Sequence, residues 1–298
     1  MDERQIISWL KAHCICKNRQ IKIGIGDDCA VIDYDKNFYL LLTTDVVVEN
    51  VHFKLKDATF RQIGRKALAV NISDIAAMGG SPLWALISLG IQEKKSGAYR
   101  EIYNGILEMA AIFNVDIIGG NLSRSETLFV DVFLVGIVEK KNLVLRNTAR
   151  PGDIIFVTGT LGGAQKGRQF RFIPRVMEAK KIVKYVKPSA MIDLSDGLAS
   201  DARKLAEASG CGFEIEISRI PVSSDAGKKN KIFSALYDGE DYELLFTVAP
   251  ESASLVPADI MGVPITNIGR LTKQKTYLLK YPDGKKTRIC REKFRHFS

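Results

Sequence analysis

Acidic and hydroxyl side chains recur beside apolar segments of this sequence. The first such place is residues 24–32, where Asp27 and Asp28 follow a Gly-x-Gly turn and precede an apolar run. Adjacent carboxylates repel each other unless solvent, a cation or a hydrogen-bond donor relieves the repulsion. A solvated Asp-Asp turn is an ordinary structure, so this pair alone leaves its role open. Residues 43–45, 73–74 and 193–196 repeat the arrangement, which indicates a shared chemical purpose.

The segment Thr43, Thr44 and Asp45 has the ligand chemistry of a hard metal ion. Two hydroxyls and one carboxylate are oxygen donors, which suit Mg²⁺ better than soft metals. The alternative is a Thr/Asp turn that caps its own backbone. His52 follows a few residues later and is one of only 3 histidines. It is either a binding residue or a half-buried packing residue.

Asp74 is the most informative acid in the chain. Helical spacing of apolar residues predicts a long helix from Thr59 to Met78, ended by Gly79 and Gly80. The residues on both sides of Asp74 in this helix are nearly all apolar, so the helix is predicted to be buried. A buried carboxylate must be paired or bound to a metal. We therefore expect Asp74 to be a metal ligand, with a structural hydrogen bond as the alternative.

The elements around these acids predict an α+β protein of two α/β domains. In the first half, a hairpin of strands at 30–33 and 38–44 precedes the long helix, and a second helix is predicted over 99–113. A strand over 115–118 is predicted to end at Gly119, Gly120 and Asn121, where glycine would let a ligand approach the backbone. A turn near residues 146–153 separates domains 1–145 and 146–298. The second domain is predicted to be a sheet covered by helices.

Composition sets further limits. The chain has 298 residues, of which 46% are hydrophobic, so a sizeable core is expected. No apolar run is long enough to span a bilayer, and no signal peptide is evident. The 5 cysteines form no Cys-x-x-Cys pattern, which fits a reducing cytoplasm. The net charge of +9 is concentrated in residues 166–187 and the C-terminal tail, but no aromatic stacking motif for nucleic acid accompanies it.

Five stretches resemble one family, and they run through almost the whole chain in order. They are residues 24–30 (GIGDDCA), 43–45 (TTD) with 51–53 (VHF), 66–79 (KALAVNISDIAAMG), 192–198 (IDLSDGL) and 239–247 (GEDYELLFT). In these stretches the chain resembles thiamine-monophosphate kinases, within the superfamily of aminoimidazole ribonucleotide synthetase and selenophosphate synthetase.

The resemblance implies ATP-dependent phosphorylation of thiamine monophosphate to thiamine diphosphate with several Mg²⁺ ions. It also implies a homodimer whose N-terminal mixed sheets form a barrel. Carried over by position, the expected Mg²⁺ ligands are Asp28, Thr43, Thr44, Asp45, Asp74, Asn121, Asp193 and Asp196. The expected ATP contacts are Tyr103, Gly120, Asn121, Arg146 and Ser195, and the expected thiamine phosphate contacts are His52, Glu240 and Phe294.

Two departures from the family pattern bear on efficiency. The family has Gly-Gly-Asp where this chain has Gly119, Gly120 and Asn121. Asparagine keeps an oxygen ligand but loses a charge, so one Mg²⁺ would bind more weakly. The segment 163–191 is also shorter than the family pattern predicts, so a helix there is expected to be missing or replaced by the basic stretch.

Two rival functions remain open. A selenophosphate synthetase-like enzyme would use a reactive cysteine and a lysine near the N-terminus, which Cys14, Cys16 and Lys17 faintly resemble. The surrounding glycine-rich context is missing, and the Gly239–Tyr242 motif argues for the kinase. A protein that binds nucleotide or thiamine phosphate without turnover is the second alternative, and Asn121 is its only support.

Overall fold

The computed structural model describes residues 3–227 and 229–289 and contains two β-sheets. The first has six strands in the order β1-β2-β3-β6-β4-β5, and only β4 and β5 run parallel. Its strands are β1 (Ile21–Ile23), β2 (Ala30–Asp33), β3 (Phe38–Val48), β4 (Ser81–Ile91), β5 (Asp116–Arg124) and β6 (Phe129–Glu139). A helix α1 (Glu3–His13) precedes it.

Helices α2 (Phe60–Ala77) and α3 (Tyr99–Phe113) pack together on one face of this sheet. A capping box between Thr59 and Gln62 begins α2, close to the predicted start. The two helices cross at glycines: a Cβ on Gly64 would lie 1.9 Å from the Ile102 carbonyl oxygen. The missing side chain therefore permits the close contact that buries α2.

Alternate residues of β3 serve opposite faces of the sheet, as the period of a strand requires. Leu41, Thr43 and Val47 are buried beneath α2, whereas Thr44 and Val46 are exposed on the other side. The strand runs on to Val48, so the expected end of the strand at Thr44 is wrong. The side chains of Thr43 and Thr44 consequently point to opposite faces of the sheet.

The second sheet is built by the C-terminal half. Its order is β14-β13-β9-β12-β7-β10-β8, and only β13 and β9 are parallel in it. Its strands are β7 (Ile154–Thr158), β8 (Ala190–Asp193), β9 (Gly212–Glu216), β10 (Leu244–Val248), β11 (Asp259–Ile260, paired with β12), β12 (Val263–Thr272), β13 (Tyr277–Lys280) and β14 (Lys286–Arg288). Its helices are α4 (Val176–Val186), α5 (Leu198–Ala208) and α6 (Lys231–Tyr237). The predicted mixed sheets and α+β class are confirmed.

The two halves share one hydrophobic core. Helix α2 touches α4 and β8 as well as its own sheet. Phe156, Met191 and Phe246 of the second sheet belong to the same buried cluster as Leu68 and Ile72 of α2. Helix α2 is therefore the element on which both halves converge, and Asp74 lies on it.

Two other expectations from the sequence are corrected or qualified. Strand β5 does not end at the glycine pair but continues to Arg124, because residues 119 and 120 stay paired with Leu86 and Ile87 of β4. A Cβ on Gly120 would lie 1.9 Å from the Ile87 carbonyl oxygen, so glycine permits this pairing.

The second expectation concerns residues 163–191. Two short 3₁₀ turns come first in this segment, and helix α4 then forms within the basic stretch. None of the helices among the described residues could cross a bilayer.

Candidate active site

Three carboxylates from three separate elements meet where the halves join. Asp28 precedes β2, Asp74 lies in α2 and Asp193 ends β8, and one oxygen of each lies within 4.8 Å of the others. These are three of the acids that the sequence singled out as metal ligands. Hydrogen-bond donors hold two of them: Thr43 Oγ1 donates to Asp74 Oδ2 at 2.6 Å, and Ser73 Oγ donates to Asp193 Oδ2 at 2.6 Å.

The three carboxyl groups of the cluster all have raised pKa values. Burial raises the pKa of Asp28 to about 8, although the ion-paired Arg146 opposes the shift. Burial also raises the pKa of Asp193 to about 7, against the hydrogen bond from Ser73. Burial, followed by the charges of Asp45 and Asp193, holds the pKa of Asp74 well above its ordinary value. A group of acids that cannot all ionise together is one that a bound cation would relieve.

The donor set fits a divalent hard cation. Asp28 Oδ2 is buried and has no hydrogen-bond partner within residues 3–227 and 229–289. Three carboxylates and a nearby threonine hydroxyl are all oxygen donors, as Mg²⁺ prefers. Asp27 has a different position, because its carboxylate accepts hydrogen bonds from the backbone N–H groups of Asp28, at 3.0 Å, and Arg146, at 3.1 Å. Its bonds shape the turn, while Asp28 points to the cluster.

A cavity of about 620 Å³ opens beside this junction. Among the residues singled out from the sequence, Asp45, His52, Ser195, Asp196 and Glu240 line it. They come from β3, the loop after it, the turn before α5 and the turn before β10. One cavity, formed by both halves, therefore brings together two expected metal ligands, one expected ATP contact and two of the three expected thiamine phosphate contacts.

Asp45 and Asp196 lie on the wall of this cavity rather than in the cluster. The backbone N–H of Asp45 donates to Asn71 Oδ1 at 2.9 Å, which ties β3 to α2. Asp45 is exposed at the cavity wall, but the protein around its carboxyl group displaces solvent, and this effect, followed by the charges of Glu240 and Asp196, raises the pKa of Asp45 to about 6. Asp196 is paired with Lys204 Nζ at 2.5 Å.

Lys66 and Lys204 are two cavity residues that reasoning from the sequence missed. Lys204 Nζ also contacts Asp201 at 2.8 Å, and this buried acid has its pKa raised to about 6 by burial. Lys66 is a buried lysine paired with Glu240 at 2.7 Å. A lysine beside the apolar run of α2 was the available signal for Lys66, since such a lysine must find a buried partner.

Several expected site residues lie outside the cavity and the cluster. Gly120 is level with Asp45 across the sheet but three strands away, which is about 14 Å at about 4.8 Å per strand. Asn121 follows it on β5, and Thr44 faces the opposite side from Asp74, bonded to Asp131 at 3.0 Å. Tyr103 is a partly buried residue that packs on the core. Phe294 lies outside the described residues.

Family models match both halves of the chain. The N-terminal domain of AIR synthase related protein matches residues 26–138, and the C-terminal domain of the same family matches residues 150–281. The thiamine-monophosphate kinase of Bacillus subtilis is 35% identical over 326 aligned positions that cover 100% of both chains. The enzyme of the same name from Rhodopirellula baltica is 36% identical, with 93% of this chain and 92% of the relative covered.

Solved structures agree with the sequence matches. AaThiL complexed with AMPPCP and TMP superposes with a TM-score of 0.85 at 35% identity, covering 99% of this chain and 97% of the other. Thiamine-monophosphate kinase from Stenotrophomonas maltophilia gives a TM-score of 0.76 at 28% identity, with 94% and 95% covered. The expected resemblance is confirmed, and the chain belongs to the thiamine-monophosphate kinase family, within the AIR synthase related proteins.

Proposed function

We propose that this protein transfers the γ-phosphoryl group of ATP to thiamine monophosphate and forms thiamine diphosphate. The observation that carries the proposal is the Asp28–Asp74–Asp193 cluster beside a cavity lined by His52 and Glu240. The similarity to AaThiL, which was solved with an ATP analogue and TMP, supports the same substrates here.

Mg²⁺ is the cofactor that the cluster fits. Asp28, Asp74 and Asp193 would hold it, and Asp45 and Asp196 could contribute ligands from the cavity wall. Bound there, Mg²⁺ would neutralise phosphate charge and help to align the two substrates. Ser195, at the cavity wall, would contact ATP, and Arg146 would do so from its place beside Asp28.

The reaction needs positioning more than a protein nucleophile. The attacking atom would be a phosphate oxygen of thiamine monophosphate, which is already ionised at neutral pH. A general base is therefore dispensable, and the protein's task is charge compensation and in-line alignment. The residues described above, which are mainly carboxylates, hydroxyls and paired cations, suit that task.

A product assay tests the function directly. Purified protein is incubated with Mg²⁺-ATP and either thiamine monophosphate or selenide, and the products are separated by chromatography. We expect thiamine diphosphate with the first acceptor only. Absence of thiamine diphosphate above background would refute the kinase. Selenide-dependent ATP consumption would favour the selenophosphate synthetase alternative, and tight substrate binding without product would favour a binding protein.

We infer that two copies associate through the sheet face opposite α2. This side of the sheet, which we call the open face, carries three exposed apolar residues. They are Val46, Trp84 and Leu86, with 41%, 38% and 39% of their surface exposed. Apolar residues gathered on one side of a sheet are typical of an interaction surface. A second copy on this face could also supply the Gly120 and Asn121 contacts that the cavity of one chain lacks.

Leu86→Arg is therefore expected to convert a dimer into a monomer, because a charge would be buried against the apolar partner surface. Light scattering coupled to gel filtration measures the change. Leu107→Arg is the matched control, since Leu107 is exposed at 52% on α3, away from the open face. A monomeric wild-type protein, or a Leu86→Arg variant that stays dimeric, would contradict the inference.

Asn121→Asp tests the departure from the family pattern. The substitution restores a negative charge, so we expect activity at limiting Mg²⁺ to be held or raised, by up to about tenfold. The measurement is initial rate against Mg²⁺ concentration for the variant and the wild type. A clear loss of activity would mean that the asparagine has a role of its own.

A further inference from the structure

Lys66 is a fully buried cation at the base of the cavity, with 1% of its surface exposed. Its ammonium group contacts three oxygen acceptors: Gln169 Oε1 at 2.6 Å, Glu240 Oε2 at 2.7 Å and the His52 carbonyl oxygen at 3.1 Å. The contacts with Gln169 and the His52 carbonyl are hydrogen bonds, and the contact with Glu240 is an ion pair. The ring of Phe170 lies 5.5 Å from Nζ and completes the enclosure.

The three acceptors come from separate segments of the chain. His52 lies in the loop after β3, Gln169 in the 3₁₀ turn Arg168–Phe170, and Glu240 in the turn before β10. Lys66 itself lies on α2, so one side chain joins both halves of the protein. Stability alone does not call for a charge here, because an apolar pair of similar volume is often as stable as a buried ion pair.

The turn that carries Glu240 has an unusual backbone. Glu240 and Tyr242 have positive φ angles of 61° and 50°, a region that residues other than glycine seldom occupy. The Tyr242 ring stacks on Phe172 with centroids 4.4 Å apart. Strained backbone persists where surrounding contacts hold it. Here the backbone N–H groups of Glu240 and Tyr242 donate to the carbonyls of Ser195 and Leu194, and the ion pair to Lys66 and the aromatic stack hold the two side chains.

The loop that carries His52 is held in the same way. Lys66 binds its carbonyl oxygen, while the backbone N–H of Val48 donates to His52 Nδ1 at 3.1 Å. Because Nδ1 accepts a hydrogen bond, the neutral ring carries its proton on Nε2. Lys66 and Val48 together thus set both the position and the tautomer of this cavity residue.

We propose that Lys66 is a positioning residue for the phosphate acceptor: it fixes Glu240 and His52 relative to each other on the wall that receives thiamine monophosphate. This inference rests on the proposed function. It assigns acceptor binding to a residue that touches neither the carboxylate cluster nor the residues expected to bind ATP. Removing the Lys66 ammonium group should therefore change the kinetic constants for thiamine monophosphate more than those for ATP.

The test is Lys66→Met, which keeps an unbranched side chain, shorter by one atom, and removes the charge. We expect the KM and the calorimetric Kd for thiamine monophosphate to rise about 30-fold or more, because Glu240 loses its partner. The KM for ATP should change by less than about threefold. Lys56→Met is the matched control, since Lys56 is exposed in the loop between β3 and α2 that also carries His52. This variant is expected to bind both substrates as the wild type does.

A second variant guards against a purely structural effect. Lys66→Met combined with Glu240→Gln leaves no unpaired buried charge, so it should regain the melting temperature of the wild type but not its acceptor affinity. Unchanged acceptor Kd in folded Lys66→Met, or an equal loss for ATP and acceptor in the double variant, would overturn the proposal. Failure of the wild-type protein to bind thiamine monophosphate would instead overturn the proposed function, and this inference with it.

Discussion

Asp74→Asn is expected to abolish phosphoryl transfer while leaving the fold intact. The substitution removes one of the three carboxylates of the cluster, the one whose Oδ2 accepts the hydrogen bond of Thr43. A site that works by charge compensation loses both cation affinity and alignment, so we expect kcat to fall by about three orders of magnitude or more. Single-turnover formation of thiamine diphosphate measures the loss.

The same variant should be more stable than the wild type in Mg²⁺-free buffer. The pKa of Asp74 is raised by burial and by neighbouring carboxylates, so its ionised form is disfavoured in the folded protein. An uncharged amide removes that penalty, by about 1–3 kcal/mol in the free energy of unfolding. Asp116→Asn, an exposed acid at the start of β5, is the control for both measurements. A fully active Asp74→Asn protein would exclude Asp74 from the site.

Without Mg²⁺, the folded protein is expected to lose stability as the pH rises from about 5 to about 8. The folded-state pKa values are about 8 for Asp28 and about 7 for Asp193, against 3.8 for an unperturbed carboxyl. Between those limits the folded state binds more protons than the unfolded state. The free energy of unfolding therefore falls with pH, by about 1.4 kcal/mol per pH unit for each extra proton.

Mg²⁺ should cancel this dependence. Cation binding requires ionised carboxylates and so releases the protons that the cluster holds. We expect Mg²⁺ to raise the melting temperature more at pH 8 than at pH 5. Calorimetric melting at both pH values, with Mg²⁺ or with a chelator, provides the comparison. A chelated protein that becomes more stable towards pH 8 would contradict the assignment of Asp28 and Asp193 as acids with raised pKa values.

The sequence predicted the carboxylate cluster because its clues were local. Asp74 stood out as a charge inside an apolar helix, and the structure places that helix in the shared core. The acidic turns at residues 27–28 and 193–196 each adjoin strands. Because both halves pack on α2, the ends of these strands lie close to that helix and to each other. The expected role of each acid as a metal ligand stays a prediction, as does the cytoplasmic location.

The sequence could not show relations that depend on the order of strands and on side-chain partners. Gly120 and Asn121 looked like members of the same site as Asp45, but strands β6 and β4 lie between them and β3. Lys66 gave no sign of its partners, because Gln169 and Glu240 are more than a hundred residues away along the chain. The glycine pair resembled the end of a strand because glycine lowers strand propensity, while tertiary pairing with β4 kept β5 intact.

The alternation of β3 has a consequence for how this family can change over evolution. Thr43 faces Asp74 and the next residue faces away, so inserting one amino acid at residues 38–42 would turn every later side chain over. The carboxylate of Asp45 would then be exposed on the outer face of the sheet, and aliphatic side chains of β3 would contact the carboxylate cluster. We expect related genes to keep this strand free of insertions and deletions, and to vary in length at the loops on either side of it.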